Sequence, residues 1–358
     1  MSLELYLWEH IKKYPFIQPQ DIIKLCYQAA NGAEHLLEDV KAAEAYFKSE
    51  YDKVPAIKGE LYEKISDEVC RVHLSAWKAS GMPEKWLFQM FVASAESFSG
   101  DRKRLDEYLD IAGVVIHEGE IEFSEEEWMA CLERYIASGK HPVHHSEIFH
   151  KEAEPAYRII STRFLCIFPI LEAAAALLAN PGIKTIVLEG RAASGKSTRA
   201  GMLQKILNAE CIHMDDFFLP PILRNKERLE EAGGNVHYER FLEEVLPYLK
   251  TDVAFSYRKF SCSKMNFDGR IFIGTQLWRI VEGSYSHHPI FGDYGDLRVF
   301  CDVDPEEQMR RILERNGPEM AKMFKERWIP MEERYFTEYK ISSKADVCLK
   351  NEKVFVQY

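Results

Sequence analysis

The feature that most constrains the fold is the segment 190–197, which reads GRAASGKS and fits the pattern G-x-x-x-x-G-K-[ST] at every fixed position. It lies between the β-rich run KTIVLE and a helix candidate, TRAGMLQKIL, whose residues Met202, Leu203 and Ile206 recur at helical spacing. Glycines let the backbone curl so that several N–H groups face one anion, and the following helix N-terminus adds partial positive charge. The segment therefore predicts a phosphate-binding loop between a strand and a helix.

In such a loop, different residues hold different parts of a nucleoside triphosphate. We expect Lys196 to reach the β and γ phosphates, where it also assists catalysis, and Ser197 to ligate Mg²⁺. The residues predicted to bind the nucleotide are Gly190, Ala193, Ser194, Gly195, Lys196, Ser197 and Thr198.

The chain of 358 residues is long for one core and suits two domains. Apolar residues in its first part recur at helical spacing, and the segment 69–74 is a weak strand candidate. After Gly182, the runs TIVLEG, CIHMDD, VAFSY, WRIVEG, LRVFCDV and ADVCL alternate with amphipathic helices, which predicts a parallel sheet with helices on both faces. We therefore predict a mainly α-helical domain over residues 1–158 and an α/β P-loop NTPase domain over residues 159–358.

The stretch 141–155 is polar and interrupted by prolines, which is typical of a connection between domains, and a helix over 157–179 is predicted to follow it. Its histidines, together with Glu147, raise the alternative of a metal site. Adjacent histidines in an extended segment point in opposite directions, however, and this disfavours the convergent geometry of zinc sites. We interpret the four histidines as polar linker residues; they are His141, His144, His145 and His150.

The composition bears on nucleic-acid binding, membrane insertion and the cellular compartment. A formal net charge of −11 argues against a broad nucleic-acid surface, because phosphate binding needs a concentrated excess of Lys and Arg. The longest apolar run, 164–179, contains Pro169 and Glu172 and is too short to span a bilayer. Eight singly spaced cysteines and no secretory signal indicate a reducing cytoplasm. We predict a cytoplasmic enzyme with no nucleic-acid or membrane partner, and the sequence leaves homo-oligomer formation open.

Two aspartates follow the second predicted strand of the P-loop domain. Asp215 and Asp216 lie nineteen and twenty residues after Lys196, at the strand end that faces the ligand crevice of open α/β sheets. A carboxylate there can accept the proton of an acceptor hydroxyl or help to hold a metal ion. We assign that role to Asp215 and expect Asp216 to cap the following segment.

With these aspartates, the chain resembles the uridine kinase and phosphoribulokinase-like group of P-loop kinases. The resemblance covers about residues 183–340 and rests on the motifs GRAASGKS, HMDDFF, NVHYERFLEEVLPYL, RIVEGSYSHHP and DPEEQMRRILERN, in that order. It implies transfer of the ATP γ-phosphoryl group to a hydroxyl of a small molecule, with a nucleoside such as uridine or cytidine as the leading candidate. ATP and Mg²⁺ are the cofactors that it implies.

The resemblance also implies roles for single residues. Asp215 matches the family's catalytic aspartate, and Glu282 matches the acidic residue that orients Mg²⁺ or its water, so that the predicted metal set is Ser197, Glu282 and Asp215. Arg311 and Arg315 are four residues apart on a predicted helix and share a face. In this family such arginines belong to a lid that closes on the transferring phosphoryl group. The alternative is a solvated, salt-bridged helix.

Substrate contacts are predicted from two segments. Where relatives carry an aspartate before YERF, this chain has His237, which can still hydrogen-bond a sugar hydroxyl. Residues 255–264 occupy the family's base-recognition strand and loop and supply Tyr257 and Arg258 as candidate contacts. Because this segment does not match the uridine-binding pattern residue by residue, a sugar or a vitamin precursor stays open as the acceptor.

Other functions also stay open. The P-loop domain could be a nucleotide-hydrolysing switch or ATPase module that signals through the N-terminal domain. No DxxG follows the loop, and the nearest match to NKxD is SKAD at 343–346, so a GTPase is disfavoured. The first domain could equally be a binding or oligomerisation module. This domain also has ionisable residues inside apolar patterns, namely Glu34, His35, Arg71 and His73. They predict an internal polar network, because buried polar groups need partners, and the alternative is a second ligand site.

Overall fold

A computed structural model shows two compact units, Met1–Leu165 and Cys166–Tyr358. No helix among the residues it describes is long and apolar enough to cross a bilayer. The structure describes residues 3–33, 39–98, 100–119 and 121–350, together with the backbone of 353–356.

The first unit is mainly helical, as predicted, and contains one small sheet. Its elements are α1 (Leu3–Lys13), α2 (Pro19–Asn31), α3 (Val40–Lys53), β1 (Tyr62–Lys64), β2 (Val69–His73), α4 (Leu74–Ser80), α5 (Glu84–Ala95), α6 (Arg102–Glu118), α7 (Glu125–Ala137), α8 (Glu147–Ala153) and β3 (Tyr157–Ser161). The three strands pair antiparallel in the order β1-β2-β3. The weak strand candidate at 69–74 is thereby confirmed as the central strand β2.

Side-chain caps explain where several of these helices begin. Asp39 and Asp101 accept backbone N–H groups from the first turns of α3 and α6. Ser124 precedes α7 and forms a capping box, in which its side chain accepts the N–H of Glu127 and the Glu127 carboxylate accepts the N–H of Ser124. Such caps satisfy N–H groups that have no partner inside the helix.

A buried polar network lies in this unit, as predicted for Arg71. The Arg71 side chain is fully buried, and its Nε and Nη2 donate to Gln28 Oε1 at 3.0 and 2.7 Å. Its Nη1 lies 3.6 Å from a carboxylate oxygen of Glu63. Buried charges of this kind need such partners, because their desolvation is costly. The predicted members Glu34 and His35 lie outside the described residues.

The interpretation of His145 as a polar linker residue is wrong. The segment 141–155 lies inside the first unit and carries α8, and His145 is buried. Its Nδ1 lies 2.9 Å from Asp21 Oδ1, its Nε2 lies 2.7 Å from the Tyr157 hydroxyl, and its ring stacks on Phe149. Tertiary contacts therefore bury a histidine from a polar stretch. Within the part of the chain that is described, none of the four histidines belongs to a group of three potential metal ligands.

We expect the stability of the protein to fall in acid because of His145. Burial lowers the pKa of His145 to about 4, below the value of about 6.5 in an unfolded chain. The unfolded chain therefore binds the proton more readily, and about 3 kcal/mol is lost as the pH falls from 6.5 to 4. Urea unfolding of wild type and His145→Gln at several pH values measures this, and the variant should show a weaker pH dependence. The exposed-residue control His141→Gln should keep the wild-type slope; an unchanged slope in His145→Gln would contradict the assignment.

The second unit has an α/β architecture. Its elements are α9 (Phe168–Leu177), β4 (Lys184–Gly190), α10 (Lys196–Leu207), β5 (Glu210–His213), α11 (Lys226–Glu230), α12 (Tyr238–Glu244), β6 (Phe255–Ser261), β7 (Asn266–Ile273), β8 (Trp278–Glu282), β9 (Leu297–Asp302), α13 (Pro305–Met323), α14 (Ile329–Tyr339), β10 (Val347–Lys350) and β11 (Lys353–Val356). The main sheet has the order β11-β10-β9-β4-β8-β5. Five of its strands are parallel, and β11 pairs antiparallel with β10.

Strand β4 lies at the topological switch point of this sheet. After β4, the chain forms β5 and β8 on one side of it, and then β9 and β10 on the other. Ligands of open α/β sheets bind where the strand order reverses, at the carboxyl ends of the strands. The phosphate-binding loop leaves β4 at that end, and the register brings Leu188 and His213 opposite Glu282 there. The predicted P-loop NTPase fold with a parallel sheet is confirmed.

Two predicted elements differ from the structure. The helix predicted over 157–179 begins only at Phe168, because β3 pairs with β2 and a 3₁₀ segment, Thr162–Ile167, follows. The VAFSY run does form a strand, but β6 pairs antiparallel with β7 in a separate two-stranded sheet. Its partner follows directly along the chain, so local pairing replaces a place in the parallel sheet.

Candidate active site

The loop 190–197 is curled by residues with positive φ. Gly190, Ala193 and Gly195 have φ values of 138°, 57° and 87°. A Cβ added at Gly190 would lie 2.0 Å from the backbone oxygen of Cys301, so this position requires glycine. Alternating backbone conformations of this kind form anion-binding concavities. The loop conformation is therefore the one that the sequence motif predicts.

Polar groups in the loop fit a phosphate ligand. Lys196 is buried, and its Nζ donates to the carbonyl oxygens of Gly190 and Arg191 at 2.6 and 2.9 Å. Ser194 is 2% exposed, and its Oγ has no hydrogen-bond partner within the described residues. Because buried polar atoms are normally satisfied, this hydroxyl is suited to a phosphate oxygen. The residues present thus fit a bound triphosphate.

A carboxylate on the neighbouring strand faces the start of α10. Ser197 Oγ donates to Glu282 Oε2 at 3.1 Å, and His213 Nδ1 lies 2.6 Å from Glu282 Oε1. The hydroxyl and the carboxylate offer the hard oxygen ligands that Mg²⁺ prefers. Hydrogen bonding to Cys211 and to Glu282 raises the pKa of His213 to about 10. Sequence reasoning missed His213, whose signal was its place at the end of β5, beside Glu282 in the register.

The two adjacent aspartates have different environments. Asp215 lines the cavity beside the loop, and its carboxylate has no hydrogen-bond partner among the described residues. Desolvation and the nearby Glu282 carboxylate raise the pKa of Asp215. Asp216 is buried and accepts a hydrogen bond from the Tyr257 hydroxyl at 2.9 Å. Asp216 therefore ties the segment after β5 to β6, a role different from the cap that the sequence predicts.

The predicted arginines lie on a helix next to the loop. Arg311 Nη1 donates to the carbonyl oxygen of Ala193 at 3.3 Å, so this guanidinium contacts the phosphate-binding loop. Arg315 lines the cavity. The helix α13 is interrupted at Gly317, whose φ is 78°, and the segment beyond it adds Arg327 to the cavity lining. Sequence reasoning missed Arg327 because it follows this break, where helical spacing no longer predicts the direction of side chains.

Residues 192–198 of the loop and helix start, the carboxylates of Asp215 and Glu282, and the arginines Arg315 and Arg327 line one cavity of about 790 Å³. Arg311 contacts the loop but is not part of this lining. Pockets for small ligands have volumes of about 300–1,000 Å³, so the cavity is large enough for an organic ligand. Its lining mixes polar groups with apolar and aromatic side chains, which include Phe218, Leu229, Tyr285, Phe324, Trp328 and Met331.

The three predicted substrate contacts do not line this cavity. Tyr257 is fully buried, and its hydroxyl donates to Asp216. Arg258 pairs with Glu244, to which its Nε donates at 2.8 Å. His237 precedes α12, and its backbone N–H donates to a carbonyl oxygen of the segment after β5. The Tyr257 and Arg258 side chains thus hold the hairpin within the fold, whereas His237 Nδ1 is buried without a hydrogen-bond partner among the described residues.

Glu332 is a further residue that sequence reasoning missed. It lies on α14, is buried and lines the cavity. Its Oε2 accepts the N–H of Ala192 at 3.0 Å, and its Oε1 accepts the Ser284 hydroxyl at 2.7 Å. Gln308 Nε2 donates to the carbonyl oxygen of Ala192 at 3.0 Å. Helices α13 and α14 are thereby attached directly to the phosphate-binding loop.

Two solved structures of kinase-like proteins are remotely similar to about half of the chain. No protein-family model matches the chain, and a search of curated proteins finds no relative. A structure described as a possible uridine kinase from Bacillus stearothermophilus is 18% identical, with a TM-score of 0.41, over 52% of this chain and 98% of that chain. A "putative fructose transport system kinase" from Silicibacter sp. TM1040 is 18% identical, with a TM-score of 0.40, over 49% of this chain and 94% of that chain. At this identity and TM-score, neither match bears on activity or substrate.

Proposed function

We propose that the second unit transfers the γ-phosphoryl group of ATP to a hydroxyl group of a small molecule. The observation that carries this proposal is the position of Asp215, whose carboxylate has no hydrogen-bond or ion-pair partner among the described residues, in the same cavity as the phosphate-binding loop. The Ser197–Glu282 pair lines that cavity as well. A base, a phosphate-binding loop and a candidate metal site in one cavity are the parts that phosphoryl transfer to a hydroxyl requires.

Each residue has a defined task in this proposal. Ser197 and Glu282 would hold Mg²⁺, which neutralises charge on the phosphates when it is bound. Lys196 exchanges its two loop carbonyl partners for phosphate oxygens. Asp215 accepts the proton of the acceptor hydroxyl, and its raised pKa makes it a stronger base than an aspartate with an ordinary pKa. Arg315 supplies positive charge to the transferring group.

The class of acceptor is proposed only as a small hydroxyl compound. Uridine and cytidine are the acceptors that the sequence resemblance implies, so a test of acceptors should include both. The side chains expected to bind a nucleoside base, Tyr257 and Arg258, instead donate hydrogen bonds to Asp216 and Glu244. Sugars and vitamin precursors are therefore equally suitable candidates.

The test is ATP consumption by the full-length protein with Mg²⁺ in the presence of nucleosides, sugars and vitamin precursors, with water alone as the control. We expect one class of hydroxyl compound to accelerate ATP consumption and to appear as a phosphorylated product. The variant Lys196→Ala should abolish both signals, which assigns them to this cavity. Hydrolysis that no acceptor accelerates would reject the kinase and favour a nucleotide-driven switch.

A further inference from the structure

Two polar side chains on the cavity wall, Arg224 and Asn235, have no task in the proposed binding of ATP. Both lie in the segment between β5 and α12, which also carries Asp215. Leu219 anchors both of them, because its N–H donates to the Asn235 carbonyl oxygen at 2.9 Å and its own carbonyl accepts Arg224 Nε at 2.7 Å. Leu219 lies four residues after Asp215. Arg224, Asn235 and Asp215 therefore belong to one part of the wall.

These side chains have unused hydrogen-bonding capacity. Asn235 Oδ1 is buried and has no hydrogen-bond partner within the described residues, although the same side chain hydrogen-bonds Tyr285. The two terminal nitrogens of Arg224 have no hydrogen-bond or ion-pair partner among the residues that the structure describes. A buried acceptor without a partner costs about 1–3 kcal/mol, so such an atom on a cavity wall is suited to a ligand donor.

Arg224 differs from the other cations that line the cavity in its position and its contacts. Lys196 is held by the loop carbonyls, and Arg315 and Arg327 lie in or beyond α13. Arg327 has no task in the proposal either, but of the cations in the described lining Arg224 is the one that shares a segment with Asp215. Arg224 and Asp215 are not paired with each other, and the charges of both act on the pKa of the Cys262 thiol. Arg224 and Asp215 are both exposed, and neither forms an ion pair among the described residues, so this part of the wall suits a ligand with an anionic group and a hydroxyl group.

We propose that the phosphoryl acceptor is an anionic hydroxyl compound, whose carboxylate or phosphate group binds Arg224 while its reacting hydroxyl lies at Asp215 and a second donor binds Asn235 Oδ1. A guanidinium matches both anions because its planar N–H groups can donate two parallel hydrogen bonds. This inference rests on the proposed kinase activity and narrows its substrate class. In the transfer step, the hydroxyl oxygen forms a bond to the γ phosphorus, the bond to the ADP oxygen breaks, and the hydroxyl proton passes to Asp215.

The experiment compares matched acceptors that differ in one anionic group. Glycerol is compared with glycerate for the carboxylate, and ribose is compared with ribose 5-phosphate for the phosphate, each with the full-length protein, ATP and Mg²⁺. KM for the preferred acceptor and for ATP is then measured in wild type, Arg224→Gln and the control Lys226→Gln. Lys226 is exposed, lies two residues from Arg224 and is absent from the cavity lining.

We expect the anionic member of at least one pair to be preferred, and the pair in which this occurs identifies the anion. Arg224→Gln should raise KM for that acceptor about 10- to 100-fold, as expected for loss of charge-assisted hydrogen bonds, while KM for ATP changes less than about twofold. Lys226→Gln should match wild type. Preference for neutral acceptors, or a rise in KM for ATP alone, would overturn the inference while leaving the kinase intact. Absence of stimulation by every acceptor, including the neutral nucleosides of the first screen, would reject the kinase and this inference together.

Discussion

Replacing Asp215 with asparagine is expected to lower kcat about 100- to 10,000-fold while ATP binding stays close to the wild-type level. Asparagine keeps the size of the side chain but cannot take a proton from the acceptor hydroxyl. The carboxylate has no partner among the described residues, so its loss should not disturb packing. Calorimetric titration with ATP and a single-turnover assay with the acceptor separate the two effects.

A matched control and the pH dependence sharpen this prediction. Asp252→Asn removes an exposed carboxylate that lies outside the cavity lining, and it should leave kcat unchanged. Because the base must be ionised, kcat/KM should rise as the pH rises through the pKa of Asp215, which desolvation and Glu282 hold above its ordinary value. Full phosphoryl transfer by Asp215→Asn would remove this residue as the base.

Replacing Gly190 with alanine should destabilise the second unit by about 2 to 6 kcal/mol and abolish ATP binding. The added Cβ would lie 2.0 Å from the backbone oxygen of Cys301 on β9, which cannot move without disturbing the sheet. The φ of 138° is also a conformation that alanine rarely adopts. Urea unfolding and ATP titration measure the two effects.

The control for this change is Gly201→Ala. Gly201 lies in α10, and a Cβ added there would meet no atom within 4 Å. Alanine should stabilise that helix position by up to about 1 kcal/mol, because glycine costs more conformational entropy. Equal behaviour of the two variants would mean that the close approach of Gly190 to β9 does not determine the loop conformation.

The phosphate-binding loop and its strand–helix context could be predicted because their determinants are local. The motif needs glycine at two positions where φ is positive, and the preceding and following residues carry the periodicity of a strand and a helix. Glu282 ends the apolar run that forms β8, and Asp215 follows the apolar run that forms β5. In parallel strands the carboxyl ends meet at one edge, so a sequence pattern can place such residues near each other.

Contacts between distant segments could not be predicted in this way. Tyr257 and Arg258 belong to strand β6, which pairs with β7 in a separate two-stranded sheet, and their side chains bond to Asp216 and Glu244. The polarity of His145 gave no indication that Asp21 and Tyr157 enclose it. Such positions depend on which segments pack together, and single-sequence periodicity carries no information on that choice.

The sequence by itself determined a phosphate-binding loop in a parallel α/β unit, with a carboxylate available at the ends of two neighbouring strands. Only the tertiary structure decided which polar groups reach the cavity. It added His213, Arg327 and Glu332 to the site and left Arg224 and Asn235 with hydrogen-bonding atoms that have no partner among the described residues. The physical reason is that backbone conformation follows local side-chain chemistry, whereas the availability of a polar atom depends on partners contributed by the whole fold.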